Sequence, residues 1–152
     1  LKETATTELY TGDTSSAASD VYKRQVRYSV DKPDIVTADV LDPIDYHYKG
    51  KRDIVITISQ PEFTSVCPMT GLPDFGTINI RYTPGNWIVE LKSLKYYLLQ
   101  FRNVGMFYEH VSNRILDDLA QRLKPKMMEV TGQFTSRGGL TATVCARYEA
   151  TP

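Results

Sequence analysis

Cysteine is scarce in this sequence: 152 residues hold only Cys67 and Cys145. Two thiols cannot build the disulfide framework of a small secreted domain. Histidine is as rare, with His47 and His110 alone. None of these four residues stands at a recognised zinc-ligand spacing, so no metal is expected. No apolar run approaches the ~20 residues of a membrane helix, and no signal-peptide core is visible. The expectation is a cytoplasmic protein with reduced thiols, in which a disulfide between Cys67 and Cys145 is disfavoured. Net charge is missing too, 18 basic residues balancing 18 acidic ones. Nothing global therefore predicts binding to nucleic acid or to a membrane. The dinucleotide fingerprint G-x-G-x-x-G is absent, so any nicotinamide cofactor is held by something other than a Rossmann unit.

What is present is enough apolar material for a core. Hydrophobic residues make up 41% of the chain, and the length suits one ordinary domain. Zero net charge protects poorly against self-association, which agrees with an oligomer. Residues 1–25 are rich in Thr, Ser and Ala and read as a disordered or non-native leader. Residues 26–152 read as a single domain. Within it, breakers such as Lys32-Pro33, Asp42-Pro43 and Lys49-Gly50 mark residues 31–50 as extended loop.

Alternation then sets in. Asp53-Ile-Val-Ile-Thr-Ile-Ser59 reads as a strand with Ile54, Ile56 and Ile58 on one face. Thr77-Ile-Asn-Ile-Arg-Tyr82 and Trp87-Ile-Val-Glu-Leu91 flank the turn Pro84-Gly-Asn86 and predict a hairpin. A helix follows, with Ser93 as its expected N-cap and Leu94, Tyr97, Leu98 and Phe101 on one stripe. A second helix carries Val111, Ile115, Leu119 and Leu123 and stops before Pro125. Two strands close the chain, Met127 to Phe134 and Leu140 to Tyr148. In the last, Leu140, Ala142, Val144 and Ala146 are expected to point inward, with Arg137-Gly-Gly139 as the turn between the strands. The order of strands, two helices and strands predicts an α+β fold, an antiparallel sheet with two helices on one face.

The most informative segment is Phe63-Thr-Ser-Val-Cys67-Pro-Met-Thr-Gly-Leu-Pro-Asp74-Phe-Gly76. It puts a thiol and a carboxylate seven residues apart, in a stretch read as a loop because of its Pro and Gly. A nucleophile with a proton donor beside it is the minimum for covalent catalysis. Asp-Phe-Gly alone is no kinase signature without the other kinase motifs. In Glu90-Leu-Lys-Ser-Leu-Lys95, Lys92 and Lys95 bracket a helix N-terminus, a place that favours phosphate. Glu109, in Tyr108-Glu109-His110, could accept two hydrogen bonds from a guanine-like edge. Arg137 beside two glycines could clamp a phosphate. Singly, each has a plainer explanation: a buried small side chain, a turn aspartate, a solvated charge cluster, a first-turn acid, a turn arginine.

Together, in content and order, these segments resemble one family. From about Asp53 to Tyr148 the chain is similar to the short, single-module NADPH-dependent 7-cyano-7-deazaguanine reductases of queuosine biosynthesis. The resemblance rests on Glu62-Phe-Thr-Ser-Val-Cys-Pro68, Pro73-Asp-Phe-Gly76, Glu90-Leu-Lys-Ser-Leu-Lys-Tyr-Tyr97, Phe101-Arg-Asn103, Phe107-Tyr-Glu109 and Arg137-Gly-Gly139. Of these, the Glu-Leu-Lys-Ser-Leu-Lys stretch is the most specific. The resemblance implies a tunnelling fold (T-fold) assembled into rings, two pentamers face to face, whose neighbouring subunits complete each site. It implies that Cys67 forms a thioimide with the nitrile carbon of the free base 7-cyano-7-deazaguanine and that Asp74 delivers protons. Val89, Glu90, Leu91, Tyr108 and Glu109 become substrate contacts. Lys92, Lys95, Arg137 and Gly138 become contacts for NADPH. The family usually has His where this chain has Tyr108. Two other classes stay open: a non-redox amidinotransferase of the same fold acting on tRNA, and a non-catalytic purine-binding oligomer.

Overall fold

A computed structural model describes residues 29–151; the leader expected over residues 1–25 lies outside them. Among the described residues are six strands: β1 Pro43–Asp45, β2 Ile56–Val66, β3 Pro73–Thr83, β4 Trp87–Val89, β5 Met127–Arg137 and β6 Leu140–Glu149. Two α-helices, α1 Leu91–Leu99 and α2 Tyr108–Leu123, lie between β4 and β5. The long strands form an antiparallel sheet in the order β2-β3-β5-β6, and β1 pairs separately with β4. The α+β architecture with an antiparallel sheet is as the sequence predicts.

The core lies between the helices and one face of the four-stranded sheet. Ile78, Ile80 and Tyr82 of β3 alternate inward, as do Met128, Val130 and Phe134 of β5, because successive strand residues face opposite ways. The stripe Val111, Ile115, Leu119 and Leu123 of α2 meets them, and Leu94, Tyr97 and Leu98 of α1 join the same cluster. All four residues of the α2 stripe are fully buried. Truncating any one to Ala is expected to cost about 2–5 kcal/mol. The buried carboxylate Asp118 is paired: it accepts from the phenol of Tyr97 at 2.7 Å and from Arg114 Nε at 2.8 Å.

Several local expectations change. The hairpin predicted across Pro84-Gly-Asn86 does not pair its two arms. β3 lies between β2 and β5, so both its edges are taken, and β4 turns away to pair with β1. Tyr82 still ties the two arms, its phenolic oxygen accepting the Val89 N–H at 3.1 Å. Residues 31–50 are not simply extended loop, since two 3-10 turns and β1 lie within them. The N-cap of α1 is Glu90 rather than Ser93. Its carboxylate accepts from the N–H groups of Lys92 at 2.9 Å and Ser93 at 2.6 Å, and the same two bonds, Lys92 first, hold the carboxyl below its usual range. Ser93 instead accepts the Asp42 N–H at 3.0 Å, stapling the β1 segment to α1. Leu140 points outward at 79% exposure. It follows the tight Gly138-Gly139 turn, and the inward alternation of β6 takes hold only beyond it.

Candidate active site

The segment expected to be a loop from Phe63 to Gly76 is mostly strand. β2 runs on to Val66 and β3 begins at Pro73, leaving only residues 67–72 as a connection. That connection closes on itself: the Cys67 N–H donates to the Leu72 carbonyl at 2.9 Å, and the Gly71 N–H to the Cys67 carbonyl at 2.9 Å. Gly71 has φ +71°, which a residue with a Cβ resists. Asp74 is therefore a strand residue, directly opposite Ser65 in the register. The hairpin, not loop flexibility, carries the acid back toward the thiol.

The second wall comes from the segment before α2. The Val66 N–H donates to the Val104 carbonyl at 3.0 Å, and the Met106 N–H to the Val66 carbonyl at 3.1 Å. These bonds lay Gly105 and Met106 beside the end of β2 and deliver the first turn of α2, Tyr108 and Glu109, next to Cys67. β5 supplies the third wall. Gly76 pairs with Phe134 at an approach so close that a Cβ there would sit 2.7 Å from the Gln133 carbonyl oxygen. At the end of β5, Arg137 reaches back over Asp74.

These walls enclose a cavity of about 130 Å³. Cys67, Asp74, Tyr108, Glu109 and Arg137 all line it, with Pro68, Met106 and Phe107 as its apolar surface. Cys67 and Asp74 are buried, at 5% and 4% exposure. Tyr108 donates its hydroxyl hydrogen to Asp74 Oδ1 at 2.8 Å, and Arg137 forms an ion pair with the same oxygen. The Tyr108 ring stacks on Phe134, and the Arg137 guanidinium lies 5.8 Å from the Tyr108 ring centroid.

The thiol is tuned. Burial pushes Cys67 up and is the largest single influence. Hydrogen bonds from the Thr70 hydroxyl, the Thr70 and Met69 backbone and Arg137 together outweigh it and bring the group down to about 7. A substantial share is thus thiolate at neutral pH, the nucleophilic form. Burial, followed by the nearby Cys67 and Glu109, raises the Tyr108 phenol, so it remains a hydrogen-bond donor.

The other expected site residues lie elsewhere in the chain. Glu90 spends its carboxylate on the α1 cap, so the first N–H groups of α1 are already taken, and Lys92 and Lys95 offer only their ammonium groups. Both lysines are exposed and make no ion pair among the described residues. Lys95 and Leu91 line a second cavity of about 270 Å³, floored by Ile58, Leu94 and Leu98. It shares no lining residue with the first. Val89 is buried. Gly138 and Gly139 have φ +57° and +83°, the conformation a two-residue hairpin turn demands. Among the described residues no three His, Cys, Asp or Glu side chains are grouped to hold a metal. Both cysteines are free, Cys67 buried and Cys145 exposed.

Thr70 and Met106 were not singled out by sequence reasoning. Thr70 had a local signal, as a hydroxyl residue within a Pro-to-Gly turn directly after the thiol. Met106 had none, because its place depends on a pairing between segments far apart in the sequence.

The chain has recognisable relatives among known proteins. Residues 73–152 match the family model described as QueF-like protein. A protein of Chloroherpeton thalassium is 56% identical over 112 residues, covering 74% of this chain and 96% of the relative. One of Caldicellulosiruptor bescii is 50% identical over 131 residues, covering 86% and 98%. One of Chlorobium phaeobacteroides is 62% identical over 99 residues, covering 65% and 84%. All three are called NADPH-dependent 7-cyano-7-deazaguanine reductase. A crystal structure of an apo archaeosine synthase QueF-Like superposes with a TM-score of 0.57 at 18% identity, covering 66% of this chain and 96% of that one, a likeness of fold alone. By the extent and level of these matches, the chain belongs to the QueF-like family of NADPH-dependent 7-cyano-7-deazaguanine reductases.

Proposed function

We propose that this chain reduces the nitrile of 7-cyano-7-deazaguanine to the aminomethyl compound, a step of tRNA queuosine biosynthesis, through a covalent thioimide on Cys67. The observation that carries the reading is a buried thiol, tuned to about 7, sharing one small cavity with a buried aspartate. A nitrile is a weak electrophile. Addition of the Cys67 sulfur to its carbon gives a C=N bond that accepts hydride more readily. As the sulfur–carbon bond forms, the nitrogen takes a proton through Asp74. After the first reduction, Cys67 leaves with its electron pair to regenerate a C=N bond, and the second reduction yields the amine. When bound, two NADPH molecules in turn supply the two hydrides. Pro68, Met106 and Phe107 keep the thioimide away from water, which would hydrolyse it.

Glu109, at the rim, suits the adjacent N–H groups of a guanine-like edge, with Val89, Glu90 and Leu91 contributing from a neighbouring copy. The residues present fit NADPH: Lys92 and Lys95, three apart on one helix face, have ammonium groups free for phosphate. The outer nitrogen of Arg137 that is not paired with Asp74 and the open backbone at Gly138, where a Cβ would meet nothing within 4 Å, offer further contacts.

The single-chain cavity is smaller than the ~300–1,000 Å³ usual for ligand sites, and the two cavities are separate. Both observations support a site completed by a second copy. The outer edges of β2 and β6 are unpaired in the four-stranded sheet and suit ring closure by strand pairing, as a T-fold decamer of two pentamers. We place the reaction in the cytoplasm, where Cys67 stays reduced.

The test is stoichiometric. The protein mixed with 7-cyano-7-deazaguanine develops a thioimide absorbance band, and added NADPH is then consumed at two equivalents per substrate. An adduct without NADPH consumption would favour amidine transfer, and neither event would favour a purine-binding oligomer.

A further inference from the structure

We infer that Tyr108 is a positioning residue for Asp74: with Arg137 it fixes Oδ1 of the carboxylate, leaving Oδ2 as the oxygen that exchanges protons with the substrate nitrogen. This rests on the thioimide reading above and goes beyond it, because it moves Tyr108 from substrate contact to the acid's support.

The geometry is one-sided. The Tyr108 hydroxyl donates to Oδ1 at 2.8 Å, and Arg137 pairs with Oδ1 as well. Among the described residues Oδ2 receives no hydrogen bond. Tyr108 has one polar side-chain atom, and it is committed here. The ring cannot readily swing away to greet a ligand. It lies on Phe134 at 3.9 Å between centroids and 9° between planes, with the Arg137 guanidinium 5.8 Å from its centroid. Phe134 is itself buried in the core. The support of Asp74 thus runs from its Oδ1 through a fixed ring into the packed interior, and a rigid second layer of this kind sets which atom a catalytic group presents.

The proton path balances. The Cys67 thiol proton passes to Asp74 Oδ2 and on to the nitrile nitrogen while the sulfur–carbon bond forms. One S–H bond and one π bond of the nitrile break, one S–C and one N–H bond form, and no electrons enter or leave. A carboxylate free to rotate would present either oxygen and lose this alignment. A carboxylate clamped at Oδ1 does not.

Tyr108→Phe removes the hydroxyl and keeps the stacked ring. In the assembled full chain, three quantities are compared with wild type: the rate of adduct formation without NADPH, kcat and KM for 7-cyano-7-deazaguanine, and the solvent deuterium isotope effect on adduct formation. The expected result is a fall of about tenfold or more in adduct rate and kcat, the scale on which proton delivery acts. KM should stay within about twofold, the isotope effect should grow, and the sedimentation profile should not change. A raised KM with unchanged kcat would make Tyr108 a substrate contact and overturn the inference, as would kinetics identical to wild type. If wild type itself forms no adduct, the thioimide reading fails and this inference with it; a wild-type adduct with an unaffected variant removes the inference alone.

Discussion

The ring of Tyr108 lies flat against the ring of Phe134, 3.9 Å apart and 9° from parallel. This contact joins the candidate site to the core, since Phe134 packs within β5 while Tyr108 opens α2 and touches Asp74. The space beneath Phe134 depends on Gly132. A Cβ at that position would stand 2.7 Å from Phe134 Cε2 and 2.9 Å from Ser112 Oγ. Gly132→Ala is therefore expected to lose about 1–3 kcal/mol of stability through overpacking, and to slow catalysis by tilting the stack. A chemical denaturation curve and a kcat measurement on the same sample check both; an unchanged midpoint would show that the ring has room to shift.

Cys67 makes a pH-dependent prediction. Its thiol is held at about 7, below the ordinary value of 9.0, so the reactive thiolate accumulates as pH rises through about 7. Alkylation of Cys67 by a small electrophile, which needs only the thiolate, should climb about tenfold per unit below that point and level off above it. Thr70→Val removes the hydroxyl that favours the thiolate. The midpoint should then move upward, toward the ordinary thiol value, and alkylation at neutral pH should slow. Alkylation rates of Cys67 from pH 5 to 10, followed by peptide mass spectrometry with Cys145 as the internal exposed thiol, measure this directly.

Lys92 and Lys95 are exposed and carry no part of the core, so replacing both with Ala should leave the melting temperature nearly unchanged. The KM for NADPH should rise about tenfold or more through loss of two phosphate-directed charges. The KM for the nitrile should move far less. Normal NADPH affinity in the double variant would mean that the cofactor lies elsewhere.

Much of the architecture was legible because its signals are periodic. The α2 stripe from Val111 to Leu123 and the alternation of Ile78, Ile80 and Tyr82 each predict a buried face, and those faces meet in one core. Strand pairing was less legible. Pro84-Gly-Asn86 looks like a hairpin turn locally, but β3 already has β2 and β5 on its edges, a constraint that only the complete sheet imposes. The cap of α1 was misplaced for a similar reason: Ser93 is a good capping residue by type, yet Glu90 reaches both N–H groups and Ser93 serves Asp42. At the candidate site, Cys67, Asp74, Tyr108, Glu109 and Arg137 were each noticed as residue types, and the structure gathers them around one cavity. The link between Arg137 and Asp74 was not legible. It depends on β5 lying beside β3, and no local spacing encodes that.

The most direct test of the proposed chemistry is the intact mass of the assembled protein after incubation with 7-cyano-7-deazaguanine and no reductant. Addition across the nitrile loses no atoms, so the expected gain is the whole mass of the substrate, mapping to Cys67 and absent from Cys67→Ala, which should still fold and assemble. An unchanged mass in correctly assembled wild-type protein, or a gain that persists in Cys67→Ala, would contradict covalent catalysis at this thiol.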